Sequence, residues 1–167
     1  KTLTAKSAFS HFNPCYSPDG TRIALLMANM RRSVDDDPKV GVIERKGGRL
    51  TQWSDWDRVI NAPLRWAADG GSVFFGADDC GRLSVWRLPV GKRKPTVVAP
   101  GGTVSEFDVK AGTLVFVRNN MSAAPKVFAA GDDGSDARPI ETFNDELMAK
   151  FRLGDVREFT IKGWNNE

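Results

Sequence analysis

Histidine, cysteine and tyrosine are almost missing from this chain: one His, two Cys and one Tyr in 167 residues. A structural zinc site typically needs four ligands, so a lone His11 with the widely separated Cys15 and Cys80 points away from a metal centre, and no cofactor motif is present. The two cysteines are expected as separate buried thiols; pairing them would require an oxidising compartment. No apolar run is long enough to span a membrane, and the opening "KTLTAKSAFS" has no apolar signal-peptide core. Charge is also lacking in one direction. With 24 basic and 21 acidic residues mixed along the chain, the net charge is only +3. The single basic cluster, Lys92-Arg93-Lys94, is expected to be a solvated loop; a nucleic-acid interface would show a broad basic face. Asp35-Asp36-Asp37 lacks the spaced ligands and glycine of a calcium loop.

What the chain does contain is a phrase written twice. "NPCYSPDGTRIALL" (13–26) and "PLRWAADGGSVFFG" (63–76) both run from an aromatic residue through Asp-Gly into a continuous apolar stretch. Asp-Gly favours hairpin turns, because glycine accepts positive φ without a Cβ clash. The apolar stretches have strand length and lack a polar face, as in strands covered on both sides. A looser third copy is "VSEFDV", then "KAG", then "TLVFV" (104–117). Aligned on Tyr16, Trp66 and Phe107, the copies fall 50 and 41 residues apart, a repeat period.

Four strands can be read in each copy: 12–17, 22–29, 40–45 and 49–53; then 64–67, 72–77, 83–88 and 96–99; then 104–109, 113–118, 126–130 and 138–143. Four short strands per 40–50 residues make a β-propeller blade. The expected fold is therefore all-β: a partial propeller of about three four-stranded antiparallel blades at 8–58, 59–101 and 102–145. Residues 1–7 would end a preceding blade, and "NDELMAK" (144–150) is turn-like or briefly helical. Beyond it, Glu158 to Lys162 alternates like one more strand. Because a propeller typically closes with four to eight blades, three imply a piece of a larger ring. Its tryptophans (53, 56, 66, 86 and 164) are expected mainly in the core between blades.

These residues resemble the propeller of prolyl oligopeptidase-type serine peptidases. "YSPDGTRIA" is a phrase such propellers share with TolB-like proteins; "WDR" at 56–58, "GRLSVWRLPV" at 81–90 and "EFTIKGWNNE" at 158–167 narrow the likeness to the dipeptidyl-peptidase V and acylaminoacyl-peptidase group. The resemblance implies an α/β-hydrolase domain after the propeller, entered by the strand near 158–162, with a Gly-x-Ser-x-Gly elbow followed by Asp and His. This sequence has no Gly-x-Ser-x-Gly, and its one histidine sits in the segment entering the first blade and not late in the chain, so no residue here is assigned to catalysis. The implied whole is a secreted exopeptidase that removes dipeptides from peptide N-termini, with the propeller gating access; a cytoplasmic location is the alternative. Substrate-facing candidates are Trp56, Asp57, Arg58, Arg118 and Asn119, all between strands, and Asn120-Met121-Ser122 is a glycosylation sequon. Expected partners are peptides and a hydrolase domain of the same chain. The rival reading is a non-enzymatic TolB-like or WD-type propeller that binds proteins.

Overall fold

The computed structural model describes residues 3–4, 7–29, 37–52, 56, 58–154 and 156–164. Twelve strands form three sheets: β1 (Ser10–Tyr16), β2 (Arg22–Ala28), β3 (Lys39–Glu44) and β4 (Thr51–Gln52); β5 (Ile60–Trp66), β6 (Ser72–Asp79), β7 (Arg82–Pro89) and β8 (Thr96–Ala99); β9 (Thr103–Lys110), β10 (Thr113–Asn120), β11 (Ala123–Gly131) and β12 (Arg138–Pro139). Each sheet is an antiparallel meander in sequence order. A four-residue helix, α1 (Asp145–Met148), follows. Three four-stranded antiparallel sheets are present, and each of the twelve strands read in the three copies has a counterpart.

The sheets stack face to face. Ala24, Leu26, Val40 and Val42 of the first sheet meet Leu64, Trp66, Val73 and Phe75 of the second. On its other face, Phe74, Val85 and Val98 meet Val104, Phe107, Leu114 and Phe116 of the third. Successive strand residues point to opposite faces, so Phe74 and Phe75, both fully buried, belong to different apolar layers. This accounts for the unbroken apolar run of β6. In contrast, β9 alternates: Val104, Phe107 and Val109 are buried and the residues between are exposed. Among the described residues, only one side of the third sheet is covered by another sheet. On the far side of the first sheet, Ile23, Leu25, Met27 and Ile43 form a smaller cluster with Leu3 and Leu50.

The repeated phrase folds into the same turn twice. Gly20 N–H donates to Ser17 C=O at 2.8 Å and Gly70 N–H to Ala67 C=O at 2.9 Å, with φ of +67° at both glycines. Ser17 N–H bonds Arg22 C=O, so four residues, 18–21, form the loop, two more than in a two-residue hairpin. Asp19 stitches it together. Its carboxylate accepts from Ser17 Oγ (2.6 Å), Thr21 N–H (3.1 Å) and Thr21 Oγ1 (2.8 Å). The Ser17 hydroxyl first, and then Thr21, hold the Asp19 pKa down to about 2.

Arginines then tie each blade to the next. Arg22 lies 5.0 Å from the Trp66 ring and donates through Nη2 to Gly70 C=O at 3.1 Å. Arg65 pairs with Asp108 at 3.0 Å and Arg87 with Asp132 at 3.5 Å. Trp66 Nε1–H donates to Cys15 C=O at 3.0 Å, so this indole supplies packing and a polar link together.

Several expectations are corrected. Tyr16 and Trp66 do share a register, opposite Ile23 and Val73, but the third member is Val109, opposite Leu114; Phe107 faces Phe116. The cause is the two-residue loop Ala111-Gly112, two residues shorter than the loop 18–21, with φ of +49° and +77°. Tyr16 is 60% exposed, because no sheet among the described residues covers its side of β1. Cys80 is exposed at a turn, and only Cys15 is half-buried. The strand expected over 138–143 stops at Pro139, because Glu141 takes over the edge: its carboxylate accepts Val127 N–H at 3.1 Å and Phe143 N–H at 2.7 Å. Residues 158–162 form no strand: Phe159 and Ile161 are exposed, and no neighbouring strand pairs with them among the described residues. Asp35 and Asp36 lie outside the described residues.

Gly20→Val places a β-branched residue at a φ of +67°. We expect a loss of stability exceeding about 1 kcal/mol, read by denaturant unfolding; unchanged stability would contradict the turn geometry.

Candidate functional site

In each meander the turn between the second and third strands lies at the same end as the connector to the next sheet. The sequence candidates gather at this end. Trp56 and Arg58 are in the β4–β5 connector, and Arg118, Asn119 and Asn120 close β10. Asp57 and Trp53 lie outside the described residues.

Trp56 and Arg58 are engaged with the second sheet. The Trp56 ring packs edge-on against Trp86, centroids 4.6 Å apart, and 6.1 Å from Phe75. Its carbonyl accepts from Lys39 Nζ. Arg58 lies 5.6 Å from the Trp56 ring and 5.8 Å from the Trp86 ring, and pairs with Asp79 at 2.7 Å. Cation–π contact and ion pair together hold the connector against β6 and β7.

Arg118 has different surroundings. Its guanidinium carbon sits 4.1 Å from the Phe128 ring and 5.5 Å from Phe116, over two rings stacked 5.4 Å apart. Nη1 donates to Pro100 C=O at 2.7 Å. Partial burial lowers the guanidinium pKa from its ordinary value. Two open grooves meet here. One, of about 480 Å³, is lined by Arg118, Asn119, Lys126, Phe128, Asp145 and Phe151 among others. The other, of about 840 Å³, is lined by Cys80, Arg82, Gly102, Asn119, Met121 and Glu158 among others. Asn119 and Asn120 border both. Asn120 is exposed, and its Oδ1 accepts Ser122 N–H at 2.8 Å across the hairpin turn.

Two contributors were not singled out in the sequence. The Gly101-Gly102 pair brings the β8–β9 connector hard against β10: a Cβ on Gly102 would stand 2.3 Å from Asn119 C=O. The doublet was visible in the sequence, but its partner was not. The second contributor is the segment carrying Phe151, Leu153, Val156 and Glu158, which walls the grooves; Glu158 pairs with Arg82. Elsewhere, His11 Nε2 is buried without a hydrogen-bond partner, and burial lowers its pKa. Among the described residues no group of three or more His, Cys, Asp or Glu side chains could hold a metal. Likewise, no helix there is long and apolar enough to cross a membrane.

Gly102→Ala should displace Asn119 and open the grooves, costing about 1–3 kcal/mol of overpacking. Unfolding measurements on this variant and on Gly81→Ala, where a Cβ would meet open space, check this. At Gly81 the cost comes from its positive φ alone, so the Asn119 amide should shift in NMR spectra only in Gly102→Ala.

No family model matches this chain. It is 33% identical over 159 residues to "Probable dipeptidyl-peptidase 5" of Arthroderma benhamiae, covering 90% of this chain and 22% of that protein. It is 30% identical over 161 residues to "Dipeptidyl-peptidase 5" of Aspergillus fumigatus, with the same shares covered. The chain thus spans about a fifth of the length of these curated relatives. Among solved structures it resembles the β-propeller domain of the Trilobed protease from Pyrococcus furiosus (TM-score 0.67, 18% identity, 90% of this chain and 43% of that one). An acylaminoacyl peptidase in complex with Z-Gly-Gly-Phe-chloromethyl ketone gives a TM-score of 0.70 at 19% identity, over 91% of this chain and 22% of that one. At these identities the structural likeness concerns fold alone. Taken with the sequence relatives, it makes this chain a homologue of a segment of dipeptidyl-peptidase 5, with the β-propeller fold found in prolyl oligopeptidase-family peptidases.

Proposed function

We propose that this chain is the substrate-gating part of a secreted serine exopeptidase that removes dipeptides from peptide N-termini. The observation that carries the reading is about 30% identity to dipeptidyl-peptidase 5 across 90% of the chain. Fold alone would not decide, because a propeller serves many functions. A TolB from Acinetobacter baumannii also resembles the chain, with a TM-score of 0.60 at 15% identity over 84% of this chain and 34% of that one.

The chemistry of the chain fits gating rather than bond breaking. Serine acyl transfer needs a nucleophile beside a base and donors for the oxyanion. The single histidine lies on β1, and the sequence has no Gly-x-Ser-x-Gly elbow. A hydrolase domain elsewhere in the same polypeptide supplies the triad in this reading. The blades admit extended peptides and exclude folded ones. Arg118 and Asn119, at the groove end, face the peptide. Export would leave the exposed Asn120 hairpin open to a glycosyltransferase.

The test assays a chromogenic dipeptide amide with the full-length parent protein and with the purified 167-residue chain. The parent should turn it over, lose activity to a serine-directed inhibitor, and leave the N-acetylated substrate intact. The chain alone should show no turnover above background. A parent with no dipeptide-releasing activity, or inhibitor-sensitive turnover by the chain alone, contradicts the proposal.

A further inference from the structure

The charge pattern around the two grooves is uneven. Lys126 is paired with Asp145 and Arg82 with Glu158, so two of the lining cations are neutralised. Arg118 has no carboxylate partner among the described residues. Among the described residues its guanidinium makes one hydrogen bond, from Nη1 to Pro100 C=O. A guanidinium carries five N–H donors, so most of its donor capacity is unspent. It is half-buried and lines the groove of about 480 Å³, where Phe128 holds one face of its plane. An arginine fixed on a ring, partly desolvated and without its counter-ion, suits a planar anion held through two parallel hydrogen bonds. Apolar groups, among them Phe151, Leu153 and Met148, line the same groove and would accept the methylene and methyl groups of a short peptide.

We propose that Arg118 is a carboxylate-binding residue that anchors the peptide, giving the enzyme a preference for short peptides with a free carboxylate in reach. This rests on the peptidase reading above. The carboxylate comes either from the peptide C-terminus or from an acidic side chain, and the experiment separates these sources.

Arg22 defines the competing role. It too lies over a ring and donates to a carbonyl, but as a strut between two blades. If Arg118 were only such a strut, its removal would lower stability and leave ligand preference unchanged. The readout is therefore a ratio of affinities, which is insensitive to the fraction of folded protein.

The full-length protein is pretreated with a serine-directed inhibitor so that peptide is not consumed. Tetra-alanine and its C-terminal amide are then titrated calorimetrically. A second pair, the amides of Ala-Ala-Asp-Ala and Ala-Ala-Asn-Ala, tests the side-chain source. One acid of the two pairs should bind about tenfold tighter than its neutral counterpart. Arg118→Gln should bring that ratio to about one, and Arg118→Lys, which keeps the charge but loses the fork, should retain part of it. Equal affinity within both pairs for the wild type overturns the proposal, as does an unchanged ratio in Arg118→Gln. Turnover of dipeptide amides without acid preference removes this site and keeps the peptidase; acid preference without turnover does the reverse.

Discussion

The arrangement depends on one constraint: the middle sheet must be buried on both faces at once. Phe74 and Phe75 are neighbours in sequence and sit in different apolar layers, one against each adjacent blade. A strand can do this only if both flanking sheets are in place, because full burial of either ring is worth about 1.5–3 kcal/mol and exposure forfeits it. Blade stacking and strand formation are therefore coupled. The interblade arginines act on an interface that the apolar layers have already brought together. Arg65–Asp108 is an exposed pair of the kind that contributes little alone. Arg22 is better placed: over the Trp66 ring, and bonded to the carbonyl of Gly70, whose positive φ fixes its turn.

The strands were legible because the repeated phrase combines three independent local signals: an aromatic, an Asp-Gly turn and an apolar run of strand length. They agree, and the structure follows them. The failures came where a partner decides the outcome. Phe107 could be aligned with Trp66 by residue type, but register is counted from the turn, and the Ala111-Gly112 turn is shorter. Glu141 ended β12 early by placing a side chain where a backbone acceptor was expected. Residues 158–162 carry a strand pattern, but a strand needs a neighbour with free backbone groups, which sequence alternation cannot supply.

The surroundings of the candidate residues were only partly legible. Strand-end position identified Arg118 and Asn119, and the structure places both on a groove. The same reasoning named Trp56 and Arg58, whose rings and charge are taken up by Trp86, Phe75 and Asp79. Position alone does not distinguish a free guanidinium from a paired one. That difference is set by long-range neighbours: Asp79 is near Arg58 because β6 runs beside its connector, and Arg118 has no carboxylate partner among the described residues because the chain facing it offers Pro100 C=O.

Native-state hydrogen exchange most directly tests whether the three blades are one cooperative unit joined through the middle sheet. Phe74→Ala and Phe75→Ala each open a cavity in one layer only, at a cost of about 3–5 kcal/mol. If the layers are coupled through β6, each variant will speed the slowest amides of all three sheets by the same factor. Acceleration confined to the blade facing the truncated ring, with the far blade exchanging as in the wild type, would contradict the account.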